Sequence, residues 1–381
     1  MPGNIHPLNV LMVTARYFPY MGGIETHVHE VGRRLAQRGV NITVLTTAPH
    51  VSTGPLPGEE TIEGMRIIRI PAWPPERDYY IAPEIFTLIK RGTWDLVHCQ
   101  GCHTFVPPMA MLAAREAKIP YLLTFHTGGH SSGFRNSIRS IQWKMLRPLL
   151  ADATKLIGVS RFEADYFRDL LHLPEAQFTV ISNGAVVPNI ELPPATAEEH
   201  KPTLLISVGR LEKYKGHQRL ITALPRLQEI YPDIRLLIIG KGPYEATLQE
   251  LAQSTGVADC VEFRSVPADD REEMARLLSR AACVALLSEY EAHPIAVMES
   301  LALRRPVLVA DTSGLSELAE QGLVRAIPLN SSPEEVALAV QQQIEDPIVP
   351  SDRLILASWD DCVNQLEAVY ERSVVRAACA S

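Results

Sequence analysis

Long hydrophobic runs, an export signal and a disulfide framework are all missing from this sequence. No uninterrupted apolar stretch reaches the roughly 18 residues that a membrane-spanning helix needs, and residues 1–9 lack a basic region followed by an apolar run. Six cysteines are scattered over 381 residues, so we expect reduced thiols. These absences predict a cytoplasmic protein.

An excess of positive charge is also missing. The chain has 36 Lys plus Arg against 44 Asp plus Glu, which gives a net charge of -8 and excludes a nucleic-acid footprint spread over the whole surface. The dinucleotide fingerprint G-x-G-x-x-G does not follow the first apolar run, so a nicotinamide cofactor is disfavoured. We predict no nucleic-acid partner, no cofactor and no metal.

One cysteine pattern has two interpretations. Cys99, Cys102 and His103 spell the C-x-x-C-H motif of covalent haem attachment, which requires export and a fold that encloses haem. The alternative is a strand end with two small buried thiols. Because the sequence shows neither export nor a haem-enclosing pattern, the second interpretation is favoured.

Short apolar, β-branched runs alternate with helical patterns from start to finish, which is typical of an α/β protein with parallel sheets covered on both faces. A chain of this length suits two domains of roughly 150–200 residues. We predict an N-terminal domain over residues 1–185, a Pro- and Glu-rich linker over 186–202 and a second domain over 203–351. The runs lie at residues 8–14, 40–47, 65–70, 95–99, 121–125, 156–159 and 178–181, then at 204–208, 235–239, 260–263, 283–287, 306–310 and 324–327.

Two helical patterns frame this alternation. The first, over residues 24–39, places Ile24, Val28, Val31 and Leu35 on one face. The second lies at 352–372 within the C-terminal segment 352–381, and its pattern alone suggests packing outside the second core.

Gly22 and Gly23 stand at the start of the first predicted helix. Backbone N–H groups and the helix dipole at that position favour an anion such as a diphosphate. A glycine pair that is needed only for a tight turn is the alternative, and the pair alone favours it.

A stronger signal opens the second domain, where Arg210 and Lys215 flank one loop together with Gly209 and Gly216. Two positioned cations would stabilise the negative charge that a nucleotide diphosphate gains as it leaves, as a metal does elsewhere. No D-x-D triplet, common in metal-dependent sugar-nucleotide sites, occurs in the chain. A solvated basic loop is the alternative.

Two carboxylates eight residues apart follow in the chain. Glu291 precedes a helix that begins near Pro294, and Glu299 lies about one and a half turns inside that helix, so both can point to the crevice at the strand ends. One could meet a sugar and the other a ribose. Two solvated helix carboxylates are the alternative, but the apolar residues around Glu299 indicate partial burial.

Together these motifs resemble family 4 of the retaining glycosyltransferases. The family pattern E-x7-E corresponds to Glu291 and Glu299, its G-R-L…K-G loop to residues 209–216, and its G-G-I-E to residues 22–25. The resemblance spans nearly the whole chain. It implies the GT-B fold, with two Rossmann-like domains facing across a cleft. It also implies that the last helix, over residues 352–381, crosses back and belongs with residues 1–185 to the N-terminal, acceptor-side domain.

The resemblance also implies roles for single residues. Arg210 and Lys215 would bind the donor diphosphate, and Glu299 would hold the ribose. Glu291 would lie near the transferred sugar, and His126 would contact that sugar or the acceptor, although a histidine satisfied within the core is the rival interpretation. These roles make His126, Arg210, Lys215 and Glu291 the catalytic candidates. The remaining donor-binding candidates are Gly22, Gly23, Gly209, Arg264 and Ile295.

The sequence departs from the family at two places. The family's Glu-Gly-Phe-Gly stretch reads Glu291-Ala292-His293-Pro294, and Arg264-Ser265 replaces a commoner glycine near the expected base pocket. Donor base (UDP or GDP), sugar and acceptor therefore stay open. A sugar-nucleotide epimerase of the same fold and a non-catalytic nucleotide-sugar-binding partner are the alternative functions.

A basic amphipathic pattern covers residues 134–150, where Arg and Lys alternate with Ile, Trp, Met and Leu. Such a helix can lie on an anionic membrane surface, here the inner one, which would suit a lipid-linked glycan acceptor. A solvated helix that packs by its apolar face is the alternative, and it is slightly favoured.

Overall fold

The computed structural model describes residues 7–20, 22–48, 56–74, 81–126, 133–185, 203–267, 270–350 and 356–380, without the side chains of 133–140 and 378–380. The predicted linker over 186–202 lies outside these residues. The chain forms two compact units. The first unit comprises residues 1–127, 134–183 and 357–381, and the second comprises 128–133 and 184–356.

Eight strands build the sheet of the first unit, in the spatial order β3-β4-β2-β1-β5-β6-β7-β8. They are β1 Asn9–Thr14, β2 Asn41–Thr47, β3 Glu59–Ile62, β4 Met65–Ile70, β5 Leu96–Gln100, β6 Tyr121–Thr124, β7 Lys155–Gly158 and β8 Phe178–Val180. All neighbours run parallel except β3, which pairs antiparallel with β4. The parallel sheets expected from the sequence are confirmed except at this edge, where β3 turns directly into β4 through Glu63 and Gly64, both at positive φ.

The central strands are buried on both faces, as parallel strands between two helical layers must be. Val10 to Val13 of β1 are each at most 1% exposed. Helix α1 covers one face with Val28, Val31 and Leu35, all fully buried, as their helical spacing predicts. The helices of this region are α1 Gly23–Gln37, α2 Glu84–Arg91, α3 Val106–Glu116, α4 Gly133–Ala151 and α5 Arg161–Leu171.

The second unit has a six-stranded parallel sheet in the order β11-β10-β9-β12-β13-β14. Its strands are β9 Leu204–Val208, β10 Arg235–Ile239, β11 Val261–Arg264, β12 Cys283–Leu286, β13 Val307–Ala310 and β14 Arg325–Ile327. Its helices are α6 His217–Ile230, α7 Glu245–Ser254, α8 Arg271–Ser279, α9 Ile295–Ala302, α10 Ser313–Glu320 and α11 Pro333–Glu345.

The last helix, α12 Trp359–Ala380, belongs to the first unit, where it contacts α1 and β5. Tyr370 from this helix is fully buried and bonds to His98 of β5 at 2.7 Å. Arg38 reaches Asp360 and Glu367 at 3.1 Å each. The expectation from the pattern alone, that this segment packs outside the second core, is wrong, because its buried face meets β5 and α1. The return of the last helix to the N-terminal domain, which the family resemblance implies, is confirmed. No helix among the described residues is both long enough and apolar enough to span a bilayer.

Each sheet contains one point at which the strand order reverses. In the first unit this point lies between β1 and β5, and in the second unit it lies between β9 and β12. The connections that follow the two central strands run in opposite directions along the sheet. A crevice therefore forms at the carboxyl ends of these strands, and α/β proteins bind ligands in such crevices. The two crevices therefore determine where candidate site residues are sought.

Candidate functional site

The loop after β9 forms one wall of the crevice in the second unit. Its Leu211 is fully buried and donates its N–H to Lys241 O at 3.0 Å, which anchors the loop to the loop that follows β10. Arg210, next to this anchor, is 55% exposed, and its guanidinium lies 3.8 Å from the Glu212 carboxylate. The loop backbone is thus fixed by this hydrogen bond, and the Arg210 guanidinium lies on the surface.

Gly216 closes this loop and starts α6. It adopts φ +76°, a left-handed conformation that L side chains rarely take, and a Cβ there would overlap the carbonyl oxygen of Leu287. The close approach brings the N-terminus of α6 against Leu287, the residue that follows β12. Glycine at this position is therefore required by both backbone angle and space.

An ion pair joins the two walls of the crevice. Lys215 Nζ lies 2.5 Å from Glu291 Oε1, and the same oxygen accepts a hydrogen bond from Ser288 Oγ at 2.8 Å. Both side chains of the ion pair are mostly buried, at 17% and 11% exposure. Burial acts to lower the pKa of Lys215, but the Glu291 carboxylate more than offsets it and raises the pKa above its usual value. Lys215 is therefore a fixed positive charge at neutral pH.

The backbone around Glu291 is held from α10. Glu291 donates its N–H to Ser313 Oγ at 2.8 Å, and its carbonyl accepts from Gly314 N–H at 2.9 Å. A Cβ on Gly314 would overlap the carbonyl oxygen of Ala292, so only glycine permits this packing. These contacts position the carboxylate before any ligand binds. Sequence reasoning missed Ser313, whose φ of +51° is recognisable only from the structure.

Glu299 lies inside α9 and is 5% exposed. Its Oε1 forms an ion pair with Arg271, at the first position of α8. Sequence reasoning predicted partial burial of this acid but missed its partner, because Arg271 lies 28 positions away in a segment without a motif. Ile295 begins α9 and is half-buried.

The predicted base-pocket residue Arg264 ends β11. Its guanidinium is 44% exposed and pairs with Glu273 at 3.2 Å and Glu262 at 3.4 Å. No described contact joins it to Lys215 or Glu291, so these residues are placed on separate strand ends. His293, which occupies the family's aromatic position, is half-buried, and burial lowers its pKa to about 4.

In the first unit, Gly22 caps the N-terminus of α1 and Gly23 begins the helix. A Cβ on Gly22 would lie 2.6 Å from Oε2 of Glu25, whereas one on Gly23 would meet nothing within 4 Å. The Glu25 carboxylate thus already lies near the positive end of the helix dipole. Among the described residues, no atom outside the adjoining chain fills the space beside Gly23.

His126 follows β6 at the same edge of the sheet as the β5 end. It is 9% exposed, and its Nε2 lies 2.8 Å from Gln100 Oε1. The ring of His27 packs edge-on at 4.5 Å between centroids. Burial, followed by the neighbouring histidines, holds the pKa of His126 well below its usual range. A neutral imidazole at the strand edge is the result.

The cysteine motif is also placed. Cys99 and Cys102 are buried free thiols, and burial raises the pKa of each above its ordinary value. His103 uses Nε2 to bond the carbonyl of His126 at 2.9 Å. Cys99 and Cys102 thus have the surroundings of small core side chains at a strand end, as the second interpretation of the motif expects.

Comparison with known sequences follows the two halves of the chain. The family model described as Glycosyltransferase Family 4 matches residues 21–187, and the one described as Glycosyl transferases group 1 matches residues 189–355. This chain belongs to glycosyltransferase family 4. It is 29% identical to a glycogen synthase of Mycobacterium tuberculosis, over 91% of this chain and 88% of that protein.

Solved structures show the same fold. A sucrose-phosphate synthase from Thermosynechococcus elongatus superimposes with a TM-score of 0.73 at 19% identity, covering 98% of each chain. The Anabaena protein HepE, solved in complex with UDP-glucose, gives 0.70 at 17% identity over 97% of each chain. The fold of this glycosyltransferase is GT-B, which confirms the fold class expected from the sequence motifs.

Proposed function

We propose that this glycosyltransferase transfers a sugar from a nucleotide diphosphate sugar, UDP- or GDP-linked, to a hydroxyl acceptor, with retention of anomeric configuration and without a metal ion. The observation that carries the proposal is the Lys215–Glu291 pair at the β9/β12 switch point. It places a fixed cation and a carboxylate side by side in the crevice where α/β sheets bind ligands. Binding of UDP-glucose by HepE supports the donor class.

Lys215 and the exposed Arg210 would bind the diphosphate and stabilise the charge that develops as the glycosidic bond breaks. Glu291 is poorly suited to act as a nucleophile, since Oε1 already accepts from Lys215 and Ser288. A carboxylate engaged in this way favours front-face attack, in which the leaving phosphate helps to deprotonate the acceptor, over a covalent sugar intermediate. Glu299 would hold the ribose, and His126 would contact the sugar or the acceptor.

The test is protection against thermal unfolding by UDP, GDP, ADP and TDP with a chelator present. A ligand that binds only the folded protein raises its apparent stability by mass action. We expect one base to protect well above the others, and sugar transfer from that nucleotide sugar to continue in chelator. Protection by none of the four would contradict the proposed donor class, and transfer that requires a divalent ion would contradict metal independence.

A lipid-linked acceptor at an anionic membrane surface is favoured by the exposed face of α4. Ile141 and Met145, one turn apart, are 59% and 77% exposed, and Lys144 between them is exposed as well. The other face packs inward through Trp143 and Leu150. Apolar side chains beside a cation are typical of a helix at a membrane interface. The part of this segment over 134–140 has no described side chains.

Sedimentation with anionic vesicles tests this contact. We expect the double variant Ile141→Ser and Met145→Ser to lose vesicle binding. Leu338→Ser is the matched control, because Leu338 is an apolar residue 53% exposed on α11 of the second unit. Equal binding by wild type and the α4 variant would show that this face does not contact the membrane.

A further inference from the structure

Of the two ring nitrogens of His126, Nε2 has a hydrogen-bond partner, Gln100. Gln100 ends β5, and His126 stands two residues beyond β6, the neighbouring strand, whose Thr124 pairs with Gln100. The side chains meet at 2.8 Å between Gln100 Oε1 and His126 Nε2. Within the part of the chain that the structure describes, no group bonds to Nδ1 of His126.

With the Gln100 amide in this orientation its oxygen accepts the hydrogen bond, so Nε2 of His126 carries the proton in this contact. Among the described residues, the titratable groups that influence this ring are His27 from α1, His98 from β5 and His103 from the following loop, and none of these three is an anion. Burial and these neighbours hold the pKa of His126 well below its usual range, so the ring is neutral. In a neutral imidazole with a proton on Nε2, Nδ1 is a hydrogen-bond acceptor.

The backbone of His126 is fixed as tightly as its ring. Its φ of +47° is left-handed, which is uncommon for a residue other than glycine. The carbonyl of His126 accepts a hydrogen bond from His103 Nε2 at 2.9 Å. The His27 ring, which packs against the His126 ring, is itself hydrogen-bonded to Asn183 Oδ1 at 2.8 Å. An outlier backbone held by surrounding contacts is a frequent property of functional sites.

We propose that Gln100 is a positioning residue that fixes His126 in the Nε2–H tautomer, so that Nδ1 accepts a hydrogen bond from a hydroxyl of the donor sugar or the acceptor. This inference rests on the proposed function for the role of the hydroxyl, but not for the tautomer. His126 then selects a ligand group that donates, and it offers no positive charge to the diphosphate. The phosphate charge is left to Lys215 and Arg210.

The tautomer is measured directly by long-range proton–nitrogen NMR on protein with labelled histidine. His126→Asn, which tolerates a left-handed backbone, removes the His126 signals and so assigns them among the 12 histidines. We expect a protonated Nε2 and an unprotonated Nδ1 near neutral pH. The same Gln100 amide turned end for end would donate to Nε2 and place the proton on Nδ1, and that spectrum would overturn the proposal.

Kinetics of two variants test the functional part. In Gln100→Leu we expect mixed tautomers and a fall in kcat of about tenfold, the size of one lost hydrogen bond. In Gln100→Glu the carboxylate still accepts from Nε2 but favours the protonated ring, so we expect kcat to fall as the pH drops through neutrality, where wild type stays level. Gln342→Glu, the same change on an exposed position of α11, should leave the pH profile unchanged.

The outcomes separate two kinds of failure. If the nucleotides give no thermal protection, the proposed function fails while the tautomer assignment can still hold. If the protein is active and Gln100→Glu has the wild-type pH profile and kcat, the positioning role of Gln100 is wrong even though the proposed function stands.

Discussion

Lys215 and Glu291, 76 positions apart in the chain, meet at 2.5 Å between Nζ and Oε1 on opposite walls of the β9/β12 crevice. A donor diphosphate that binds Lys215 must share this cation with Glu291 or displace it. Because both side chains are mostly buried, breaking the pair without a replacement anion costs several kcal/mol, about 3–5 for a fully buried pair. The pair thus keeps the cation in place until a stronger anion arrives.

Removing this cation provides the first prediction. Lys215→Met should lower kcat/KM by about 10²–10³-fold, the range seen when one donor to a developing negative charge is lost. Thermal protection by the nucleoside diphosphate should weaken in the same variant. Lys213→Met, an exposed lysine on the same short 3₁₀ turn, is the control and should stay within about twofold of wild type. Equal losses in both variants would mean that general loop charge, rather than Lys215, binds the phosphate.

Gly216 allows a test of the backbone that brings the walls together. Gly216→Ala should destabilise the protein by about 2–4 kcal/mol, since the left-handed angle costs about 1–2 kcal/mol and Cβ overlaps the Leu287 carbonyl in addition. Gly256→Ala is matched in angle, at φ +74°, but its Cβ meets nothing within 4 Å. Chemical denaturation should therefore show a clearly smaller loss for Gly256→Ala. Equal losses would mean that the close approach to Leu287 relaxes without cost.

Glu299→Gln should raise the donor KM by about tenfold or more with a smaller effect on kcat, because a charged hydrogen bond to the ribose contributes about 1.5–3 kcal/mol. Arg271→Leu should act in the same direction, since it removes the cation that orients Glu299. Arg276→Leu, an exposed arginine of the same helix, is the control. Steady-state kinetics with varied donor would contradict the ribose role if kcat fell and KM did not change.

The buried histidines of the first unit predict a pH dependence of stability. Burial lowers the pKa of His27 to about 4 and of His98 to about 3, whereas an unfolded histidine titrates near 6.5. Below about pH 6.5 these histidines therefore bind protons in the unfolded chain but not in the folded chain. The free energy of unfolding should fall as the pH drops towards 4. Each group contributes at most about 1.4 kcal/mol per pH unit.

Thermal unfolding between pH 7.5 and 5 measures this slope. His98→Asn should reduce the slope while lowering stability at every pH, because it also removes the bond to Tyr370. His172→Asn is the control, as His172 is exposed and Asn tolerates its left-handed φ of +49°. An unchanged slope in His98→Asn would show that this histidine is not the source.

The strands could be predicted closely because a buried parallel strand needs an unbroken apolar run. The runs at residues 204–208 and 235–239 coincide with β9 and β10 residue for residue. Strand β3 was not predicted, since Glu59 to Ile62 is a half-exposed edge strand without such a run. The apolar pattern of the last helix predicts which of its faces is buried but not which sheet that face covers. Periodicity indicates burial only and does not identify the element that the face packs against.

The candidate site was predicted in part. Spacing within the motifs pointed to Lys215, Glu291 and Glu299, but it treated Arg210 and Lys215 as equivalent cations. In the structure one is an exposed guanidinium and the other is held in a mostly buried ion pair. Arg271 and Gln100 could not be found, because each acts through a contact between elements. Arg271 lies outside every motif, and Gln100 occupies a variable position of the C-x-x-C-H pattern.

The return of α12 to the first unit makes that unit discontinuous along the chain. Its sheet is complete at Val180, yet Cys362, Val363, Leu366 and Tyr370 enter its core only after the whole second unit has been synthesised. During translation β5 and α1 lack the cover that α12 provides, so the first unit cannot complete its fold until the last helix has been made. A fragment that stops before residue 357 would therefore expose this apolar surface and be prone to aggregation.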